Sequence, residues 1–191
     1  CMLKFDGTVD YYLDPNDYSK KEDGTSSDVA DDTYDGNAMM EWGQNEKKIW
    51  YKIAPDLVDY TSGTILIANY QADEDYKAWS FINNQGDMVD HFYTPIYNGW
   101  MDSSSRLRSL SGKKPTVSLT ATEERTAARA NNTTNAIWDT EVYCDITIIN
   151  LLLTLISKSL NSQEVFGNGN LTGSNESAIL TTGLGDAAGL F

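Results

Sequence analysis

The stretch "DITIINLLLTLISKSLNSQEVFGNGN", Asp145 to Asn170, decides how the chain is read. Its first half is the most apolar segment of an acidic, polar protein. Val142, Ile146, Ile149, Leu153, Ile156 and Leu160 recur at spacings of four and three, one stripe down one face of a helix. Ile148, Leu152 and Leu155 widen that stripe past half the circumference, which predicts a helix covered on more than one side. Asp139 stands where an N-cap belongs, Glu141 and Asp145 sit in the first turns and Lys158 in the last, matching the helix dipole. The spacing therefore predicts a central core helix from Asp139 to about Leu160–Asn161. Its apolar run, Ile146 to Ile156, is interrupted by Thr147, Asn150 and Thr154. It falls well short of the roughly 20 apolar residues that span a bilayer, so no membrane insertion is expected.

Upstream, a second and smaller helix is expected over "TATEERTAARANN". Thr120 and Glu123 have capping-box spacing, and Asn131 and Asn132 close it. Between Ala38 and Trp100 short aromatic and β-branched segments ("AMMEW", "KKIWYKIAP", "TILIANY", "KAWSFI") alternate with turn residues, which is the pattern of strands. Residues 1–36 read as an extended, acidic segment, broken by Asp-Pro, Asp-Gly and Ser-rich turns. No core is expected there. Residues 37–191 are expected to form one α+β domain. The segment after the long helix carries six glycines from Gly167 to Gly189 and reads as loops.

The chain of 191 residues carries a net charge of −14, which repels phosphate backbones and argues against nucleic acid as a partner. Cys1 and Cys144 are too few for a disulfide framework. His91 is the one histidine, and it lacks a nucleophile motif. The acidic turn from Asp31 through Asp35 to Asn37 spaces oxygen ligands as a calcium loop does. Trp42 occupies the position where the closing Glu belongs, which leaves a weak calcium contact open. No cofactor is expected. Tyr93, Tyr97 and Trp100 belong either to a core or subunit interface or to a ligand surface.

The ordered set "DGNAMMEW…KKIWYKI", "SGKKPTVSLTATEERTAARANN", "IWDTEVYCDITIINLLLTLISKSLNSQEVFGNG" and "TTGLGDAAGLF" resembles a family of bacteriophage virion proteins. These occur in tail-fibre or receptor-binding proteins of phages that infect gut Firmicutes and Bacteroidetes. The resemblance covers about residues 35–191 and is strongest from Trp138 to Gly169. Trp138, Gln163, Gly167 and Gly169 carry its signature. It implies a C-type-lectin-like domain, of the kind shared with formylglycine-generating enzymes, in which a twisted antiparallel sheet packs on two helices and long Gly-rich loops make the binding face. No cysteine follows Cys144, so the oxidase chemistry of the enzyme branch does not carry over. The family's further strands would lie beyond Phe191, so the domain is expected to be incomplete at that end. The resemblance implies a non-enzymatic structural protein located in the virion. Its expected partners are other virion proteins, copies of itself (a homo-oligomer such as a trimer) and a host surface receptor. A capsid-decorating or head-fibre protein is the alternative, and a glycan depolymerase the second alternative.

Overall fold

The structure is a computed structural model that describes residues 1–43, 47–55, 63–83, 85–134, 137–161, 164–165, 182–183 and 186. Among these residues the chain forms small antiparallel sheets and two α-helices, an α+β architecture. Five strands come first: β1 (Met2–Lys4), β2 (Val9–Tyr11), β3 (Leu13–Asp14), β4 (Asp17–Lys21) and β5 (Gly36–Trp42). Then follow β6 (Trp50–Pro55), β7 (Gly63–Ala68), a 3-10 turn at Trp79–Phe81, and β8 (Phe92–Pro95). The last elements are β9 (Trp100–Met101), β10 (Leu107–Arg108), α1 (Ala121–Arg129) and α2 (Tyr143–Ser157). The chain divides into two compact units, and it passes between them within β5 and again within β8. One unit holds Cys1–Met40, Thr94–Thr140 and Asn161–Phe191, and the other holds Glu41–Tyr93 and Glu141–Leu160.

In the first unit a four-stranded sheet runs in the order β2-β1-β5-β8. Its core gathers Met2, Leu13, Val29, Ala38, Tyr97 and Leu110. The expectation of an extended, coreless segment over residues 1–36 is therefore corrected. Met2 pairs with Ala38 and Leu3 with Asn37 across antiparallel strands, and both Met2 and Leu3 are buried. Gly36 lets β1 come close: a Cβ there would meet the Leu3 carbonyl at 2.2 Å.

A repeated Asp-x-Ser/Thr device holds this acidic region in shape. Asp6, Asp17, Asp23 and Asp31 each accept both the backbone N–H and the hydroxyl of the residue two positions on: Thr8, Ser19, Thr25 and Thr33. Each side chain closes a turn that the backbone alone would leave open. The aspartates that looked like loop composition thus act as turn clasps.

Arg108 is the largest fully buried side chain among the described residues, at 1% exposure. Its guanidinium donates to the Tyr34 and Gly36 carbonyls at 2.8 and 2.5 Å and to Asn37 Oδ1 at 3.1 Å. Asp102 Oδ2 lies 3.4 Å from its Nη1, and the group rests over the Phe5 ring at 4.8 Å. Burial pulls against its charge and the neighbouring Arg106 repels it, while Asp102 opposes both. Asn37 Oδ1 also accepts the Ser109 amide at 3.0 Å.

Helix α1 begins as its sequence predicts. Thr120 caps the Glu123 amide, and Glu123 returns its carboxylate to the Thr120 amide at 2.8 Å. Asn131 ties the far end down, donating to the Leu107 and Ala128 carbonyls at 2.8 and 2.9 Å.

Helix α2, in the second unit, is shorter than expected and turns a different face inward. Asp139 does not cap it, because its carboxylate is held by Arg125 and Arg129 at 2.8 and 2.7 Å. The N-cap is Val142, whose amide is accepted by Asp145 Oδ2 at 3.4 Å. The helix stops at Ser157, since Lys158 takes a left-handed conformation with φ 53°. Ile148, at 1% exposure, is the one fully buried residue of α2. The six residues expected to form the core stripe are not the buried face. Val142, Ile146, Ile156 and Leu160 are exposed, Ile156 at 68% and Leu160 at 94%, while Ile149 and Leu153 are half-buried. At 100° per residue the stripe lies roughly 120° around the helix from Ile148. On the Ile148 side Cys144, Leu151 and Leu152 are half-buried, while Leu155 is exposed. The helix is apolar through most of its girth, so spacing alone did not select the face that packs.

Two outcomes follow for stability. Arg108→Met should cost about 2–5 kcal/mol in urea denaturation, because it leaves the buried Tyr34 and Gly36 carbonyls without this donor, while Asp102 keeps Arg106. Arg108→Lys should recover only part of the loss, since an ammonium cannot reproduce the planar fork. Hydrogen bonds from Thr8, Ser19, Thr25 and Thr33 hold the Asp6, Asp17, Asp23 and Asp31 carboxyls below the ordinary value of 3.8. Their folded-state pKa is lower than the unfolded one, so this stabilisation is present above 3.8 and disappears as pH falls through the folded value. Amide protection factors in residues 1–36, taken relative to the intrinsic exchange rate, should fall below that pH, and Asp23→Asn should remove the local pH dependence at its own turn.

Candidate functional site

The β6–β7 ribbon builds one wall of an open groove in the second unit. Six consecutive pairs, from Trp50 with Ala68 to Pro55 with Gly63, set its register. The free edge of β6 takes a further partner, since Tyr51 and Lys77 exchange backbone hydrogen bonds of 3.1 and 3.0 Å. That exchange lays residues 71–78 beside the ribbon and carries the chain into the 3-10 turn. The resulting groove encloses about 510 Å³ and is lined by Tyr51, Lys52, Ile53, Glu74, Asp75, Lys77 and Trp79.

Asp73 organises the floor. Its carboxylate binds Lys52 Nζ at 2.6 Å and accepts the Asp75 amide at 3.0 Å. The Lys52 ammonium holds the Asp73 carboxyl below its ordinary value, and Asp73 raises Lys52 in return. Lys52 also lies over the buried Tyr76 ring at 4.9 Å. Lys77 Nζ donates to the Glu74 carbonyl at 2.7 Å. Lys52 and Lys77 are set among three carboxylates, Asp73, Glu74 and Asp75, so the groove carries charges of both signs. Trp79 is 49% exposed and Ile53 is exposed beside it. An indole face with hydrogen-bonding groups of both signs around it can take a flat, partly apolar, uncharged group such as a sugar ring, or a polar peptide side chain.

The N-terminal turn of α2 adjoins this wall through Tyr51. Burial raises the Tyr51 phenol, with Cys144 and Asp145 adding to the effect. Burial also raises the Asp145 carboxyl. The Val142 amide and the Ser80 hydroxyl pull the other way. The Ser80 hydroxyl is buried beside this carboxyl.

Residues singled out in the sequence lie elsewhere. Trp138 is buried, and its indole donates to the Phe5 carbonyl at 2.8 Å, so it clamps the end of β1. Gln163, Gly167 and Gly169 lie outside the described residues. His91 Nδ1 stands 3.7 Å from Glu41 Oε1, and Tyr93 donates to Glu41 Oε2 at 3.0 Å. Tyr97 is a core residue whose hydroxyl donates to Asp186 at 2.5 Å, while Trp100 carries Lys113 over its ring at 4.8 Å. In the acidic turn Asp31 is engaged by Thr33, and Asp32 pairs with Lys113 at 3.1 Å. Among the described residues no group of three His, Cys, Asp or Glu side chains converges as a metal site would. The groove was not legible in the sequence. The exposed Trp within "KAWSFI" was the one available signal, and it read as a strand residue.

No protein-family model matches this chain, and no curated protein or solved structure matches it. Among the described residues no helix is long and apolar enough to cross a membrane.

The raised Asp145 carboxyl has a sign opposite to that of the turn aspartates. Its folded-state pKa exceeds the unfolded one, so its contribution is intact below 3.8 and is lost as pH rises through the folded value. Asp145→Asn, which keeps an acceptor for the Val142 amide, should therefore stabilise the protein at pH 7 and leave it unchanged near pH 3. Urea midpoints at the two pH values provide the measurement.

Proposed function

We propose that this chain is a non-enzymatic structural protein of a bacteriophage particle. In this reading it belongs to a tail fibre or another host-facing appendage, and its fold is C-type-lectin-like. The groove beside Trp79 binds a host-surface receptor or a neighbouring virion protein. The motif order from Asp35 to Phe191 supports the virion reading, and the α+β architecture agrees with it.

The observation that carries the binding role is the half-exposed Trp79 in a groove that brings two lysines to the surface of a strongly acidic protein. Large aromatic side chains placed in a concave, polar-rimmed site contribute most of the energy of a recognition surface.

Mass spectrometry of purified particles should find the chain, and its absence would sink the virion reading. Particles carrying Trp79→Ala should assemble with the chain in normal amount and adsorb to host cells at least about tenfold more slowly. Undiminished adsorption would remove the groove from the proposal.

A further inference from the structure

Cations are scarce in this chain, where 14 lysines and arginines stand against 28 aspartates and glutamates. On one face of α1 the ratio is reversed: Arg125 and Arg129, one turn apart, share the single carboxylate of Asp139. We propose that this face is a binding site for a phosphate or sulfate group, held by the two arginines and the threonines beside them. The inference stands apart from the virion reading and from the groove beside Trp79.

One arginine is enough to hold Asp139. Arg125 alone makes a two-pronged contact, Nε donating to Oδ1 at 2.8 Å and Nη2 to Oδ2 at 3.0 Å. The Thr140 amide donates to the same Oδ1 at 2.9 Å. Arg129 then adds its Nε and Nη2 to an Oδ2 that is already occupied, at 3.1 and 2.7 Å. The second guanidinium is therefore surplus to the clasp, and the three groups together keep an excess of positive charge. Like charges four residues apart on a helix repel, and a bridging anion relieves that repulsion. The Asp139 side chain is 13% exposed, whereas those of Arg125 and Arg129 are 53% and 46% exposed. The carboxylate is thus covered and the cations face solvent. Among the described residues neither Nη1 group has a partner.

The arginines also stand in a hollow. Ala121, Thr122, Arg125, Thr126, Arg129 and Thr140, all within the first unit, line a volume of about 450 Å³. Thr126 donates its hydroxyl to the Thr122 carbonyl at 2.7 Å. The hydroxyls of Thr122 and Thr140 make no hydrogen bond among the described residues. Two guanidiniums and two hydroxyls thus line one space. A tetrahedral oxyanion has three oxygens to divide among such donors and a carboxylate only two, and a guanidinium edge matches phosphate oxygens in pairs. The α1 carboxylates are directed elsewhere. Glu123 is folded back onto the Thr120 amide and hydroxyl, and Glu124 lies roughly 120° around the helix from the arginine pair. Repulsion from the rest of the acidic chain is screened beyond about 8 Å at physiological ionic strength.

Exposed contacts of this kind give a dissociation constant on the order of 1 mM. Arginine side-chain NMR spectra of the full chain, titrated with inorganic phosphate or sulfate against chloride at constant ionic strength, measure it. The Nε–H signals of Arg125 and Arg129 should move together and saturate, and acetate should bind at least about fivefold more weakly. Arg129→Gln should weaken phosphate binding at least about fivefold with circular dichroism unaltered, because Arg125 keeps its fork on Asp139. Thr122→Val, which leaves every ion pair in place, should weaken it roughly threefold. Methyl phosphate binding as well as inorganic phosphate would assign the site to an ester on a larger molecule, and its exclusion would assign it to the free ion. No saturable shift, a shift shared equally by all arginines, acetate binding as tightly, or indifference to Arg129→Gln would each overturn the proposal.

Discussion

The first unit depends on one buried cation. Arg108 reaches the backbone of Tyr34 and Gly36, the side chain of Asn37 and the carboxylate of Asp102, and rests on Phe5. A buried guanidinium is tolerated only when its donors are met, and here carbonyls, an amide oxygen and a carboxylate meet them in a planar fork. Asn37 extends the network to Ser109 and to Asn131 beyond α1, so the short strands β5 and β10 and the end of α1 share one set of partners.

Such a hub suits the composition. Strands of two to seven residues bury little apolar surface each, and the region before β5 is mostly aspartate, serine, glycine and tyrosine. Polar specificity substitutes for bulk: the Asp-x-Ser/Thr clasps set the turns, and Asn132 and Trp138 both donate to the Phe5 carbonyl. The second unit is built differently. Phe81 and Phe92 meet edge to face at 5.1 Å, and Trp42 stacks on Phe92 at 5.9 Å. Gly43, at φ 100°, passes so near Phe81 and the Asp90 carbonyl that a side chain would not fit.

These contrasts explain what could be read in advance. The α1 capping box was legible because a cap is a local device, made by residues three apart. The acidic first segment was misread because its composition resembles that of a loop, and partners at positions 37 and 38 tie it into the sheet. The α2 stripe had the right periodicity and the wrong destination. The groove beside Trp79 stayed hidden because it is assembled from β6, a turn and a 3-10 segment that meet only after folding.

By itself the sequence determined the existence and type of the helices, the position of the α1 cap, most of the short strands between Ala38 and Trp100 (the 3-10 turn at Trp79–Phe81 replaces one of them), and the strongly acidic composition. Each of these depends on interactions within a few residues or on composition. Tertiary structure alone decided which face of α2 is buried, that Asp139 serves Arg125 and Arg129 in place of a helix, and that Arg108 lies inside. The physical reason is the same in each case: an apolar helix, an aspartate and an arginine have several acceptable partners nearby in energy. The choice among them is made by groups distant in sequence, which become neighbours only in the folded chain.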